Sequence, residues 1–321
     1  MASLLDQLDV KGYQLNNRIV LPPMATDLAN EDGSITEKNI DHYVKRAPGQ
    51  GLLIVEHNYI NPQGKFSEGQ IGIHEDRFVE GLSQLYQAIT DQTTVAVQLN
   101  HAGLNANQTI TDLQPVAPST ADGARELELD ELGAVKDDFV QAARRAAEAG
   151  FDGVEIHGAH GFLLNEFFSP VTNLRDDKYG GELENRVRFP LEVVQAVGEI
   201  LDEQLLLYRL GADDLRPNGN TVRESTQFAK MLEDAGIDIL DVSGGVCGSR
   251  PEELAGEQGY FVSQAASIRE EVGIPVIGVG GITEPTYANQ VINEDLIDLV
   301  AVGRAQLSDP QWAVKAIDQL E

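Results

Sequence analysis

Eight short apolar segments recur along the chain, each bounded by glycine or polar residues. Their hydrophobicity is nearly continuous and lacks clean alternation, which is typical of parallel strands covered on both faces. The predicted strands are Ile19–Met24, Leu52–Glu56, Val95–His101, Gly153–His157, Leu205–Leu210, Ile237–Ser243, Pro275–Gly280 and Leu299–Gly303. A chain with this many buried parallel strands needs a helix to cover each connection.

Amphipathic helical patterns lie between these strands, and several end at a glycine just before the next strand. The predicted helices are Glu37–Ala47, Phe78–Ile89, Val135–Ala149, Glu184–Leu201, Arg223–Ala235, Val262–Val272 and Pro285–Asn293. Eight strands alternating with helices predict an α/β protein of the closed (β/α)8 TIM-barrel type. Residues 1–321 are predicted to form one domain, with a short N-terminal cap before Ile19. An open doubly wound sheet is disfavoured because no G-x-G-x-x-G motif follows an early strand.

Composition limits the classes of function. The single cysteine, Cys247, excludes internal disulfides, cysteine-ligated iron–sulfur clusters and structural zinc of the usual type. A net charge of −29 disfavours nucleic acid and anionic membranes as partners. No signal-peptide pattern and no apolar run of membrane-spanning length is present, so we expect a soluble cytoplasmic protein.

Polar and glycine residues gather at the predicted strand ends, where barrel enzymes place their chemistry. Gly280, Gly281, Gly303 and Arg304 follow the last two strands. Backbone N–H groups freed by these glycines, together with the guanidinium, favour a phosphate site, although glycines also simply permit tight turns.

Two histidines, His157 and His160, end the fourth strand. A pair of neutral imidazoles can donate N–H groups to one carbonyl or nitro oxygen. A metal site is disfavoured because no third ligand is suitably spaced, and a plain hydrogen-bonded loop pair is the other interpretation. His101 is interpreted as a loop histidine.

Several ordered segments carry a family resemblance from Asn17 to Pro310. They are NRIVLPPM, GLLIVEHNYINPQG, VQLNHAG, FDGVEIHGAHGFLLNEFFSP with NLRDDKYGG and ENRVRF, and VAVGRAQLSDP. The chain resembles the old yellow enzyme family of FMN-dependent oxidoreductases, most closely its small bacterial single-domain members. The resemblance implies non-covalent FMN, NADH or NADPH as reductant, and a small-molecule acceptor. A homo-oligomer is compatible with the sequence.

The resemblance also implies a set of cofactor-binding residues. They are Pro23, Met24, Ala25, His57, Gln98, Arg209, Ser243, Gly244, Gly280, Gly281, Gly303 and Arg304. Arg304 and the glycines would hold the FMN phosphate, and Gln98 would bond the pyrimidine edge of the flavin. Arg209 would lie near N1 and O2, where its positive charge stabilises the negative charge of the reduced flavin. His157 and His160 would be the catalytic pair that anchors the substrate.

The chain departs from the family at four positions on the substrate side or beside the flavin. Phe162 stands where relatives carry a tyrosine that protonates the substrate carbon, and phenylalanine has no proton to donate. Ala25 replaces a threonine or cysteine that contacts the flavin, Asp27 replaces an aromatic residue in the substrate pocket, and His57 replaces a small residue. We therefore expect a retained cofactor site and an altered substrate site.

The favoured function is hydride transfer from NAD(P)H, through flavin N5, to an activated alkene, quinone or nitro acceptor. Two alternatives stay open at this point: a non-redox phosphate-binding barrel acting as a lyase or isomerase, and a flavin-binding protein of low activity.

Overall fold

A computed structural model describes residues 2–121, 123–254 and 256–321. Within them the strands are β1 (Leu8–Val10), β2 (Tyr13–Leu15), β3 (Ile19–Leu21), β4 (Leu52–Tyr59), β5 (Thr94–Asn100), β6 (Val116–Ala117), β7 (Arg125–Glu126), β8 (Gly153–Gly158), β9 (Leu205–Gly211), β10 (Ile239–Ser243), β11 (Val276–Gly278) and β12 (Leu299–Ala301).

The α-helices of the same residues are α1 (Glu37–Val44), α2 (Val79–Gln87), α3 (Gln108–Thr111), α4 (Leu129–Ala149), α5 (Leu163–Phe168), α6 (Leu183–Arg186), α7 (Arg188–Gly198), α8 (Val222–Asp234), α9 (Val262–Arg269), α10 (Pro285–Asn293), α11 (Arg304–Ser308) and α12 (Trp312–Leu320). Short 3-10 turns lie at Pro62–Gly64, Asp76–Phe78, Gly103–Asn105 and Glu252–Leu254. None of the helices in the described part of the chain is long and apolar enough to cross a membrane.

Strands β3, β4, β5, β8, β9, β10, β11 and β12 close into a barrel in that order, and β12 pairs with β3 to complete it. Every pairing within the barrel is parallel. The predicted TIM barrel is therefore confirmed. Because all eight strands run in one direction, their carboxyl ends meet at one mouth of the barrel, and the residues that follow them converge there.

The predicted N-terminal cap is a β-hairpin formed by β1 and β2. Its turn residues, Lys11 and Gly12, have φ of 53° and 87°, as a two-residue type I′ turn requires. Val10 and Leu15 pack into one apolar cluster with barrel residues such as Leu52. The cap closes the barrel at the end opposite the mouth, because these partners lie early in their strands.

Each of the seven predicted helices overlaps a helix of the structure, but several bounds were wrong. Helix α4 begins at Leu129 rather than Val135, because a capping box between Glu128 and Glu131 starts it a turn and a half earlier. The predicted helix Glu184–Leu201 is divided at Val187 into α6 and α7. Helices α3, α5 and α11 were not predicted, since each has at most six residues and is too short to show a clear period. Helix α12, of nine residues, was also not predicted.

Candidate active site

A cavity of about 700 Å³ opens at the barrel mouth. Its size falls in the range of cofactor and ligand sites. The predicted cofactor residues that line it are Met24, Arg209, Ser243, Gly281, Gly303 and Arg304. The structure thus brings residues from the ends of five different barrel strands to one space.

One end of this cavity is suited to an anion. Arg304, the first residue of α11, donates from Nη2 to Tyr260 Oη at 3.1 Å. Gly281 has φ of +63°, and a Cβ there would come within 3.2 Å of Arg304 Nη2. A Cβ on Gly303 would come within 2.7 Å of Met24 Sδ. Both glycines are therefore closely packed, Gly281 against Tyr260 and the Arg304 guanidinium and Gly303 against Met24, and a side chain at either position would displace a residue that lines the cavity.

The loop between β10 and α9 completes this end of the cavity. It supplies Arg250 and Tyr260 to the lining. Gly280, with φ of +133°, lies so close to the loop that a Cβ there would sit 2.7 Å from Tyr260 N. Neither Arg250 nor Tyr260 was predicted to line the site, because an irregular loop has no periodic pattern from which the direction of its side chains could be inferred.

Six predicted cofactor residues do not line the cavity: Pro23, Ala25, His57, Gln98, Gly244 and Gly280. Pro22 and Val279 line it instead, each next in sequence to a predicted residue. Gly244 is a structural part of the loop after β10, and its carbonyl accepts the His160 N–H at 3.0 Å. These six roles stay predictions.

A row of buried polar side chains crosses the barrel interior beneath the cavity. Gln98 and Glu155 are paired in register on β5 and β8, and Arg209 and Asp241 on β9 and β10. Gln98 Nε2 donates to Glu155 Oε2 at 2.6 Å. Arg209 Nε lies 3.3 Å from Asp241 Oδ2, an ion pair without the alignment of a hydrogen bond. Arg209 therefore lines the cavity while it is paired with the buried carboxylate of Asp241.

Glu155 and Asp241 are two buried carboxyl groups, and burial raises the pKa of each. Burial, and then the charge of Asp241, raise the pKa of Glu155 well above its ordinary value. Glu155 Oε1 and both Asp241 carboxyl oxygens lack a donor among the described residues. A proton held between the two carboxyl groups would supply one and would leave a single negative charge to balance Arg209. Sequence reasoning missed this pair, although charged residues within the apolar strands GVEIH and IDILDVS are a visible signal.

His157 and His160 meet at the mouth as predicted. His157 Nε2 lies 3.2 Å from His160 Nδ1, and His160 Nε2 lies 2.7 Å from Ser243 Oγ. Burial, together with the positive charge of Arg209, lowers the pKa of both histidines well below the ordinary value. Both are therefore neutral near pH 7, and each carries one N–H donor and one acceptor nitrogen.

Aromatic rings cover the histidine pair. The Phe162 ring centroid lies 4.9 Å from that of His157, 5.5 Å from that of Phe66 and 5.8 Å from that of His57. Only 9% of Phe162 is exposed, and it also packs on Ala102 and Ala106. The position that departs from the family pattern is thus in direct contact with the imidazole pair.

Asp27 lines a second cavity of about 590 Å³, with Phe66 and Glu68 among its neighbours. Its Oδ1 accepts a hydrogen bond from Ser67 Oγ, and its φ is +54°. Phe66 contacts both this cavity and the rings over the histidine pair. Phe66 therefore links the two predicted substrate-pocket residues, since it lines one cavity with Asp27 and contacts the ring of Phe162. His101 is a buried loop histidine whose Nδ1 accepts the Gly103 N–H at 3.1 Å.

The loop after β3 is held by a buried carboxylate that sequence reasoning did not single out. Glu56 accepts hydrogen bonds from Thr26 N at 2.7 Å and Thr26 Oγ1 at 2.6 Å. Tyr43 Oη donates to it at 3.2 Å. Burial raises the pKa of Glu56 to about 7 despite these donors. The acidic residue inside the apolar run GLLIVE was the available signal.

The raised pKa predicts a pH dependence of stability. Between pH 4.5 and about 7 the folded protein keeps a proton on Glu56 that the unfolded chain releases. The free energy of unfolding from this group therefore falls as pH rises through that window. We expect Glu56→Gln to remove this component, seen as a flatter pH profile of the urea midpoint. Glu199→Gln, at an exposed position, is the control, and an equal change in both variants would contradict the assignment.

The structure is a TIM barrel whose mouth brings together Arg304, several glycines and two neutral histidines, an arrangement suited to an enzyme with a phosphate-bearing cofactor. The family model described as "NADH:flavin oxidoreductase / NADH oxidase family" matches residues 3–321. The chain belongs to this family. Its enzymes use FMN with NADH or NADPH, and the predicted relation to old yellow enzymes is confirmed.

Individual relatives agree with this assignment. The chain is 45% identical to an NADH oxidase of Thermoanaerobacter brockii, covering 94% of this chain and 48% of that protein. It is 36% identical to an NADPH dehydrogenase of Bacillus subtilis, covering 99% of this chain and 95% of that protein. The chain thus spans about half the length of the first relative and nearly all of the second.

The fold comparison points the same way. The structure of the old yellow enzyme homologue from Zymomonas mobilis matches with a TM-score of 0.88 and 29% identity. The match covers 100% of this chain and 94% of that one. No group of three or more His, Cys, Asp or Glu placed to hold a metal ion occurs in residues 2–121, 123–254 and 256–321.

Proposed function

We propose that this protein is an FMN-dependent oxidoreductase that reduces small oxygen-bearing acceptors at the expense of NADH or NADPH. When bound, FMN supplies hydride transfer between the nicotinamide and the acceptor. The observation that carries the proposal is the neutral His157–His160 pair, which contacts Ser243 at the wall of a cavity that ends in Arg304 and glycine. Acceptors of this chemistry include quinones, nitro compounds and activated alkenes.

The residues of the cavity suit FMN. Arg304 would bind the phosphate, and the backbone N–H groups of Gly281 and Gly303, which line the same end of the cavity, would lie near it. Arg209 would lie at the pyrimidine side of the flavin ring, where its charge favours a negative ring. Gln98 would bond the same edge through Oε1, since its Nε2 is already engaged by Glu155.

The histidine pair would bind the acceptor oxygen. Two facing nitrogens of neutral imidazoles need only one proton between them, so the 3.2 Å contact between the rings is a single hydrogen bond. When an acceptor oxygen replaces this contact, both rings would donate to it if His157 carries its proton on Nε2 and His160 on Nδ1, with the Ser243 hydroxyl then donating to His160 Nε2. Such donors stabilise negative charge that develops on the oxygen during reduction.

Phe162 would bias the reaction toward particular acceptors. A general acid contributes roughly 10²–10⁴-fold to proton transfer in enzymes, and phenylalanine contributes none. Reduction of an alkene needs a proton on carbon, which solvent would then have to supply. Quinones and nitro compounds need no proton on carbon, so we expect them to be the better acceptors.

Anaerobic reduction of the FMN-loaded protein by NADH or NADPH tests the proposal. Bleaching of the flavin absorbance, followed by its return on adding p-benzoquinone, is the expected result. A protein that binds FMN but is not bleached would be a passive flavin binder. A protein that takes up no FMN would favour the alternative function of a non-redox phosphate-binding barrel. Either outcome would refute the proposal.

The anion end can be tested separately by binding. Arg304→Met should weaken FMN binding by about 1.5–3 kcal/mol, the range for hydrogen bonds to charged groups, or on the order of 10- to 100-fold in Kd. Arg223→Met, which removes an equal charge from the exposed surface of α8, should change Kd less than twofold. Titration by flavin fluorescence measures both. Equal Kd values for the two variants would place the phosphate elsewhere.

A further inference from the structure

His57 lies at a break in the regular pairing of β4. Val55 pairs with Val97 and Asn58 pairs with Leu99, so Glu56 and His57 together face one residue of β5. Such a bulge redirects side chains and is common beside active sites. It turns the His57 ring against Phe162, in a stacked arrangement with an interplanar angle of 27°. The ring also meets His157 at a centroid distance of 6.4 Å.

Gln70 determines which nitrogen of His57 carries the proton. Gln70 Oε1 accepts the Phe66 N–H at 2.7 Å, so the orientation of the amide is set by the backbone. Gln70 Nε2 therefore faces His57, and it lies 2.8 Å from Nδ1 and 3.2 Å from the carbonyl oxygen. Asn100 Nδ2 also lies 3.3 Å from Nδ1. A nitrogen that receives amide donors must present a lone pair, so the proton of the neutral ring is on Nε2.

His57 is neutral over the ordinary pH range. Burial lowers its pKa to about 4; Asp27 opposes this shift, and Arg209 adds to it. Nε2 has no hydrogen-bond partner among the described residues, yet it is not among their fully enclosed polar atoms. The side chain as a whole is only 6% exposed. A single N–H of a nearly buried ring is therefore available to a bound molecule.

The two other imidazoles of the site differ in this respect. His157 Nε2 and His160 Nδ1 face each other, and His160 Nε2 contacts Ser243 Oγ. His157 Nδ1 is buried without a partner. Of these three rings, His57 alone presents an N–H whose position is already set by its neighbours.

We propose that His57, held as its Nε2–H tautomer by Gln70, is a third hydrogen-bond donor of the substrate site and favours flat conjugated acceptors, such as quinones, that carry more than one accepting oxygen. The proposal rests on the proposed function. Phe162 and Phe66 supply ring faces and edges suited to a flat molecule. No proton is transferred, because a neutral imidazole does not release its N–H near neutral pH. His57 thus binds the acceptor and does not replace the missing tyrosine.

Substitution of His57 tests the donor directly. His57→Phe keeps a ring of similar size and removes the N–H, whereas His57→Gln retains an N–H donor. With p-benzoquinone as acceptor, we expect kcat/KM to fall on the order of 10-fold in His57→Phe, as for loss of one hydrogen bond. Partial recovery is expected in His57→Gln. A His57→Phe value within twofold of the unaltered protein would overturn the proposal.

The tautomer gives a readout that does not depend on turnover. Nitrogen NMR of the histidine rings in the FMN-loaded protein should show His57 Nδ1 unprotonated from pH 5 to 8, with His57→Gln identifying its signals. Gln70→Glu replaces the amide donor by a carboxylate, so Nδ1 should become protonated. A protonated Nδ1 in the unaltered protein, or no change in Gln70→Glu, would each refute the assignment.

Kinetics of Gln70→Glu provide a second check on the positioning role. At low pH its His57 is doubly protonated and still presents Nε2–H; at higher pH the proton stays on Nδ1 and Nε2 becomes an acceptor. We expect kcat/KM for p-benzoquinone to decrease with rising pH in this variant beyond any decrease in the unaltered protein. Identical profiles would overturn the positioning role. Failure of NAD(P)H to bleach the flavin of the unaltered protein would instead refute the proposed function, while the NMR result would stand.

Discussion

Phe162→Tyr is expected to raise the rate at which the reduced protein is reoxidised by an α,β-unsaturated ketone such as 2-cyclohexenone by roughly 10²-fold or more. The introduced hydroxyl would restore a proton donor beside His157, whose ring centroid lies 4.9 Å from that of Phe162. General acids contribute about 10²–10⁴-fold when correctly placed. Stopped-flow absorbance of the flavin after anaerobic reduction measures the rate.

Two comparisons make this prediction specific. Phe66→Tyr adds a hydroxyl to a neighbouring ring that is 39% exposed. This variant should not raise the rate at which the ketone reoxidises the reduced protein. Reoxidation by p-benzoquinone, which needs no proton on carbon, should change much less than reoxidation by the ketone in Phe162→Tyr. If the Phe162→Tyr protein were reoxidised by the ketone no faster than the unaltered protein, position 162 would not be the site of the missing general acid.

The double variant Glu155→Gln with Asp241→Asn is expected to lower the free energy of unfolding by about 3–5 kcal/mol, the range for a buried charge that loses its partner. It would leave Arg209, which is 4% exposed, without a compensating carboxylate. Each single variant should cost much less, because the remaining acid can carry the one negative charge. Urea unfolding with and without FMN separates this loss from a change in cofactor affinity.

The expected pattern is strongly non-additive, as for groups in one buried network. Adding Arg209→Met to the double variant removes the uncompensated charge and should recover part of the lost stability. Additive costs of the two single variants would show that the carboxyl groups do not share a charge. A double variant as stable as the unaltered protein would show that Arg209 is balanced by another group.

Parts of the candidate site were accessible from the sequence because their residues are close together in it. His157 and His160 are three positions apart, and Gly303 and Arg304 are adjacent. Residues at the carboxyl end of a barrel strand are predicted to lie at the barrel mouth, and this prediction needs only the local sequence of that strand. The same holds for Phe162, which follows the histidine pair directly.

Other parts of the candidate site could not be predicted, because they consist of contacts between residues that are distant in the sequence. Glu155 meets Asp241 only because two further strand pairings bring β8 and β10 together around β9. Glu56 holds Thr26, and Gln70 orients His57, through side chains from a bulged strand and a loop. No local pattern specifies these contacts, since strand register and bulge position depend on the packing of the whole barrel.

The order of the barrel strands, the closed barrel and the family all follow from the sequence, because hydrophobic periodicity and short motifs are local properties of a chain. The single-domain organisation and the roles of the cofactor residues stay predictions. Charge states and donor directions required the tertiary structure: the neutrality of His57, His157 and His160 comes from burial beside Arg209, and the proton on His57 Nε2 comes from Gln70. Ionisation and tautomer depend on the solvent and partners around a side chain, and folding alone decides those.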